Sequence, residues 1–237
     1  MTITEKWLTM VLLCLSGSVI FWLPLFSDIF YIPMQNAFGF TKTQMGILLS
    51  TFGAVSLLAY FPGGWLADRF SSRKLLSLSL LATALLGLWF STMPSYSSLL
   101  VIYGAWGVAT GLTFWSAHIK LVAMLADKDQ QGRFFGILDG GRGLVEALLA
   151  TFAVALFAYI LSQDAGSTKM ALQQVIYLYV GVLLIVSPLV YWLLDDREEG
   201  ADVTEEPAKS VFIDDLKDVL SRREIWLCAI CIVCGYQ

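Results

Sequence analysis

Apolar residues in this chain come in blocks of about 20 or more, divided by short polar stretches, and a block of that length spans the hydrocarbon of a bilayer as one helix. In lipid every backbone N–H and C=O must be satisfied within the structure, so such blocks fold as helices and pack as a bundle. Composition agrees. Of the residues, 57% are hydrophobic and 14% charged, whereas a soluble domain carries about 25% charged residues to cover its surface. A length of 237 residues would otherwise fit one or two soluble domains. The blocks overrule that prior, and the expected fold class is an all-α membrane protein with the lipid bilayer as its first partner. No basic stripe or basic tail marks a nucleic-acid partner.

Six complete spans are expected, at about residues 7–32, 44–67, 74–93, 96–126, 134–161 and 171–194. Pro24 bends the first, because proline removes a backbone donor and crowds the carbonyl one turn back. Glu5 and Lys6 precede an apolar stretch too long for a signal-peptide core, so it stays as the first membrane helix. A seventh block begins near Ile225 and runs to Gln237, about 20 Å of helix, too short to cross. The chain therefore divides into a six-helix transmembrane bundle (1–194), a hydrophilic central loop (195–224) and the start of a truncated seventh helix (225–237). Within the loop, Phe212, Leu216, Val219 and Leu220 share one helical face, which predicts a short amphipathic helix on the membrane surface.

Of the 15 Lys and Arg residues, eleven fall in segments on the side of the amino terminus, and only Lys42 and Lys169 fall on the other. Basic residues concentrate in cytoplasmic segments, so the amino terminus and the central loop face the cytoplasm of a bacterial inner membrane. The remaining two, Lys120 and Arg142, lie inside spans.

Ionisable groups inside hydrocarbon cost about 2.5–3.5 kcal/mol even on the lenient insertion scale, so each asks for a reason. Arg142 lies roughly 13 Å beyond the basic loop end at Arg133, near the midplane. Asp139 and Glu146 flank it by one turn on either side, and the three occupy about a 60° arc of one helix face. This stripe is either a cavity wall in which Arg142 meets an anionic substrate and Glu146 tunes it or carries a proton, or a self-neutralised Arg142–Glu146 pair. Lys120 lies roughly 6–10 Å inside its span; it contacts substrate or extends its head to the interface. His118 points about 160° away from Lys120 around the same helix, as a packed polar residue or a proton relay. Asp28, one turn after Pro24 in the outer part of the first span, is a second proton-coupling candidate or a residue of the cavity mouth. Trp115 and Phe114, about a turn before Lys120, are the aromatics expected to line the cavity; Trp22, Trp89, Trp106 and Trp192 also lie in spans, where an interfacial belt or lipid contact accounts for several tryptophans. The spacing Cys228-x-x-Cys231-x-x-Cys234 matches an iron–sulfur ligand run, but these residues sit in an apolar helix where cysteine packs as a small hydrophobe. No metal, cofactor or catalytic set is expected.

Between spans two and three stands Gly63-Gly64-Trp65-Leu66-Ala67-Asp68-Arg69-Phe70-Ser71-Ser72-Arg73-Lys74. This stretch resembles the loop 2–3 signature of the major facilitator superfamily, G-x-x-x-D-R-x-G-x-R-R. Gly64, Asp68, Arg69, Arg73 and Lys74 match, and Ser71 replaces the usual glycine. Gly64 is expected to let another helix approach closely, and the motif to act as a conformational gate. The resemblance extends over the whole chain, which is similar to the first half of a twelve-helix member. It implies two six-helix bundles that hold substrate between them near mid-membrane and expose it to each side in turn. It also implies a missing carboxy-terminal half, the partner that the loop 2–3 acid engages. The run Phe114-Trp115-Ser116-Ala117-His118-Ile119-Lys120, with Gly132 twelve residues on, is similar in layout to helix 4 of the organophosphate and anion antiporters. Lys120 falls at the phosphate-binding position of that branch, whereas Leu25 stands where the branch carries an arginine in helix 1. The Gly-Pro pair of drug exporters is missing from helix 5, and Gly107 replaces arginine in the R-x-x-x-G pattern of helix 4.

These readings converge on one half of a secondary active transporter. It moves a small anionic metabolite by alternating access, in antiport with another anion or in symport with protons. Two alternatives differ in class: a proton-coupled carrier of a neutral solute or drug, and a transporter-like membrane sensor.

Overall fold

The computed structural model describes residues 3–127, 129–163, 168–194 and 221–235. The chain divides into two compact units, Met1–Asp196 and Arg197–Gln237. The predicted amphipathic segment at 211–220 lies outside the described residues. In the second unit, α9 (Arg223–Gly235) carries Cys231 and Cys234 as exposed free thiols.

The first unit is an all-helical bundle. Its elements are α1 (Ile3–Val19), α2 (Phe26–Phe38), α3 (Lys42–Arg69), α4 (Ser72–Ser91), α5 (Tyr96–Val108), a π-helical turn (Ala109–Trp115), α6 (Ser116–Leu125), α7 (Gln131–Gln163) and α8 (Thr168–Leu193). Helix α5, the π turn and α6 run on as one 30-residue span, Tyr96–Leu125. Together with α3, α4, α7 and α8 this gives, among the described residues, five helices long and apolar enough to cross a membrane. Their ends fall within a few residues of the expected spans. The first expected span is instead two shorter helices, α1 and α2, separated by residues 20–25.

Local chemistry sets several of these ends. Thr41 caps α3 in a reciprocal box with Gln44: the Thr41 hydroxyl accepts from the Gln44 N–H at 3.2 Å, and the Thr41 N–H donates to Gln44 Oε1 at 2.9 Å. Ser71 Oγ accepts from the Lys74 N–H at 3.4 Å and so caps α4. Serine in place of the signature glycine thus starts the next helix.

An aromatic cluster forms the centre of the bundle. Phe90 meets Phe26 at 5.7 Å and Trp106 at 5.5 Å, and Trp22 meets Tyr179 at 4.9 Å between centroids. The Trp106 indole donates to the Thr83 carbonyl at 3.3 Å. Trp22 and Trp106 are therefore core residues, while Trp89 and Trp192 are exposed, as a lipid-facing belt requires.

Helix α3 packs tightly on α5 and the π turn. A Cβ on Gly107 would come within 2.8 Å of the Phe52 carbonyl, and one on Gly111 within 2.6 Å of the Ser56 carbonyl. Small residues four apart let the backbones touch, which is how helices associate where lipid removes the hydrophobic drive. From the α3 side the contact is made by Gly63, whose Cβ would meet the Gly111 carbonyl at 2.7 Å. The close approach expected of Gly64 thus belongs to its neighbour, and Gly64 itself has open space around it in this bundle. Helices α3 and α7 are the least covered spans, with 22% and 6% of their apolar windows buried against 44–50% for α4, Tyr96–Leu125 and α8.

Candidate functional site

The site begins at the break between α1 and α2. Pro24 has no N–H to give to Ile20, and the backbone tightens around it: Phe21 donates to Ser18, Trp22 to Val19 and Phe26 to Leu23. A second irregularity follows at Phe30 (φ −109°, ψ 34°), one turn before Pro33. Because the Phe21 N–H turns to Ser18, the Gly17 carbonyl loses its helical donor. Arg142 takes it, Nε donating to Gly17 O at 3.1 Å. Non-helical backbone at membrane depth is tolerated where protein or a cavity satisfies it, and here an arginine from α7 does so.

Arg142 is otherwise lightly held. Its Nη1 donates to Asp139 at 3.4 Å, a long contact to a carboxylate whose side chain is 65% exposed. Such a pair contributes about 0–1 kcal/mol. The carboxylate beside it is Asp139 and not Glu146, so the i, i+4 pair is not the arrangement formed. The guanidinium lies 5.1 Å from the Trp115 ring and 5.8 Å from Phe21, distances that suit cation–π attraction. Nη2 takes no acceptor among the described residues. The side chain is 19% exposed. An arginine presents a planar fork of donors, and most of this fork remains open beside two aromatic faces.

His118 joins this group although its own helix turns it away from Lys120. A Cβ on Gly17 would lie 2.8 Å from His118 Nε2 and 3.0 Å from Arg142 Cδ, so α1, α6 and α7 meet over that glycine. The imidazole stacks on Phe114 at 4.9 Å and on Trp115 at 6.1 Å. It is fully buried.

Glu146, one turn further along α7, and Asp28 of α2, both exposed, line the same small open pocket of about 40 Å³ with Phe21, Trp22, Leu25, Phe26, Ile29 and Tyr179. That volume holds at least one water. The bundle thus brings two carboxylates from separate elements to one pocket, adjoining the aromatic wall of Arg142 through Phe21.

Lys120 goes elsewhere. Its Nζ donates to the Ala67 carbonyl at 2.9 Å, in the last turn of α3. That places it with the loop motif and not with Arg142, and it gives an end-of-helix carbonyl a cationic partner. Around the same loop, the Arg69 guanidinium lies 4.2 Å from the Trp65 ring and that of Arg73 lies 5.6 Å from Tyr191. Asp68 and Lys74 are exposed.

A family model described as Major Facilitator Superfamily matches residues 7–237. Over 227 residues the chain is 34% identical to the inner membrane protein YihN of Escherichia coli (strain K12), covering 95% of this chain and 52% of that protein. It is 32% identical over 228 residues to the inner membrane protein YqcE of the same strain, covering 96% and 53%. A shorter stretch of 79 residues is 32% identical to the probable galactarate/D-glucarate transporter GudP of Pseudomonas putida, covering 33% and 15%. The chain spans about half the length of YihN and YqcE.

Proposed function

This chain belongs to the Major Facilitator Superfamily, and on that footing we propose that it forms the amino-terminal wall of a secondary transporter for a small organic anion in a bacterial inner membrane. One observation carries the reading. Arg142 is a membrane-embedded cation anchored by Nε to a carbonyl freed by a helix break, partly exposed, with its guanidinium beside the Trp115 and Phe21 rings. A cation that only filled space would be matched by a close, buried carboxylate; a single long contact to an exposed one leaves the charge for a ligand. The name of GudP supports an acid as substrate.

The remaining elements take roles around that anion. Trp115 and Phe21 wall the site. A coupling proton favours symport over exchange, and Glu146 and Asp28, sharing a water-sized pocket, are one set of candidates to carry it. Lys120 serves the gate, holding the end of α3 and with it Gly64, Asp68, Arg69, Arg73 and Lys74. The little-covered faces of α3 and α7 are the surfaces offered to a second six-helix bundle, and rocking between the two gives alternating access. Residues 1–194 are then the bundle, 195–224 the cytoplasmic loop and 225–237 the start of helix 7, with the amino terminus cytoplasmic.

The test is equilibrium binding of radiolabelled D-glucarate and of inorganic phosphate to the purified chain in lipid nanodiscs. Replacing Arg142 by Gln is expected to weaken binding about tenfold or more, since hydrogen bonds to a charged group contribute about 1.5–3 kcal/mol, with the helical circular dichroism unchanged. Equal binding by wild type and Arg142→Gln refutes the assignment.

A further inference from the structure

We infer that His118 is the proton-taking member of the Arg142 site, neutral while the site is empty and protonated when an anion occupies it. The inference rests on Arg142 being the anion site.

His118 is the single histidine of the chain. Both ring nitrogens are buried and neither has a hydrogen-bond partner among the described residues. A buried imidazole with two unpaired nitrogens is worse than a leucine or phenylalanine of similar bulk, because its polar atoms have lost water and gained nothing. Its position gives the unpaired atoms a use. Nε2 and the Arg142 side chain converge on one spot above Gly17, and Trp115 stacks against the imidazole and faces the guanidinium.

Electrostatics sets the order of events. With the site empty, the Arg142 side chain stands beside the ring over Gly17, and a second positive charge next to its cation in a water-poor interior is opposed. An anion bound to the open donors of Arg142 offsets that charge and removes the opposition. The imidazole then takes one proton from the aqueous side to which the site is open and becomes imidazolium. Anion and proton leave together, and no other bond changes. The other titratable groups around the ring are few. Asp139 on α7 is exposed and already turned to Arg142, Cys14 on α1 donates to the Ile137 carbonyl, and Lys120 on α6 is bound to Ala67. Tyr60 on α3 is exposed; α4 carries Arg73 and Lys74 only at its first turn; the π turn has no titratable group. Asp28 and Glu146, in the neighbouring cavity, are the rival proton acceptors.

Since there is one histidine, labelling the chain with ¹⁵N-histidine on a histidine-free affinity tag gives one imidazole signal. The probe is D-glucarate, whose carboxylates stay ionised between pH 6 and 8, so its own titration does not intrude. The expected result is a neutral imidazole without the anion and a protonated one at saturating D-glucarate near neutral pH, with no change in Arg142→Gln. D-Glucarate affinity should also rise by about tenfold per pH unit lowered while one proton is taken up, and His118→Gln should bind with that dependence removed. An imidazole that stays neutral while D-glucarate binds in an Arg142-dependent way overturns this inference and leaves the anion site standing. So does a pH dependence that survives in His118→Gln, which would move the proton to Asp28 and Glu146. Failure of wild type to bind either D-glucarate or inorganic phosphate, or unaltered binding by Arg142→Gln, overturns both readings.

Discussion

Replacing Gly17 by Ala probes the point where the three elements of the site converge. Gly17 lies within helix α1, so its backbone accepts alanine, and the helix itself gains about 1 kcal/mol. The new methyl, however, would stand 2.8 Å from His118 Nε2, 2.9 Å from Cε1 and 3.0 Å from Arg142 Cδ. Ordinary contacts lie at about 3.5–4.0 Å, so three atoms must each yield by roughly half an ångström or more. Overpacking of this kind costs about 1–3 kcal/mol, and the helix gain offsets part, leaving a net loss of about 0–2 kcal/mol. A loss that small is ambiguous by itself. The informative measurement is the double-mutant cycle with His118→Ala, which removes the ring and makes room for the methyl. Unfolding of the four proteins by sodium dodecyl sulfate, followed by circular dichroism, should show a favourable coupling of about 1–2 kcal/mol, within the range for residues in contact. D-Glucarate affinity should fall about tenfold in Gly17→Ala alone, as Arg142 is displaced. Additivity within about 0.3–0.5 kcal/mol, with unaltered D-glucarate binding, would refute the convergence of His118 and Arg142 on this glycine.

Three further outcomes follow from the packing and the gate. Gly111→Val should destabilise the bundle by about 1–3 kcal/mol in the same unfolding assay, because its Cβ would meet the Ser56 carbonyl at 2.6 Å, while Gly64→Ala, with nothing within 4 Å, should change it by no more than about 0.5 kcal/mol. Lys120→Met should cost about 1–3 kcal/mol of stability by leaving the Ala67 carbonyl without its cation, yet should leave D-glucarate affinity within about twofold of wild type in the nanodisc assay. Asp139→Asn removes a long, exposed ion pair and should alter stability by less than about 1 kcal/mol, while strengthening D-glucarate binding by freeing the guanidinium.

Much of the bundle is legible in the sequence because helix length and apolar content are local properties. The ends of α3, α4, α7 and α8 follow from where the apolar blocks meet Thr41, Ser71 and the loop charges. The broken first span is only half legible. Pro24 announces a bend, but the run of tightened turns from Phe21 to Phe26 and the second irregularity at Phe30 depend on what the freed carbonyls find, and Arg142 lies 125 residues away from Gly17. The site shows the same division. That Arg142, Asp139 and Glu146 share a face follows from helical geometry, and the divergence of His118 from Lys120 does too. Which carboxylate Arg142 chooses does not, since a one-turn contact can form in either direction and the aromatic faces of Trp115 and Phe21 bias it. Nor could spacing reveal that Lys120 reaches the end of α3, or that Gly63 and not Gly64 meets the Gly111 backbone; those are facts of how two helices are rotated against each other. The signal for His118 was present in one respect: a lone histidine beside Phe114 and Trp115 in an apolar span is a polar group needing a partner.

The central claim is that the polar face of α7 borders water and ligand, not lipid. Thiol accessibility tests it most directly, with Glu146→Cys placed in a chain whose four cysteines have been replaced by serine or alanine. A charged, membrane-impermeant methanethiosulfonate reagent should label this position in native membranes, and saturating D-glucarate should slow the labelling. Labelling by a lipid-soluble maleimide alone, indifferent to D-glucarate, would turn that face toward the bilayer and contradict the account.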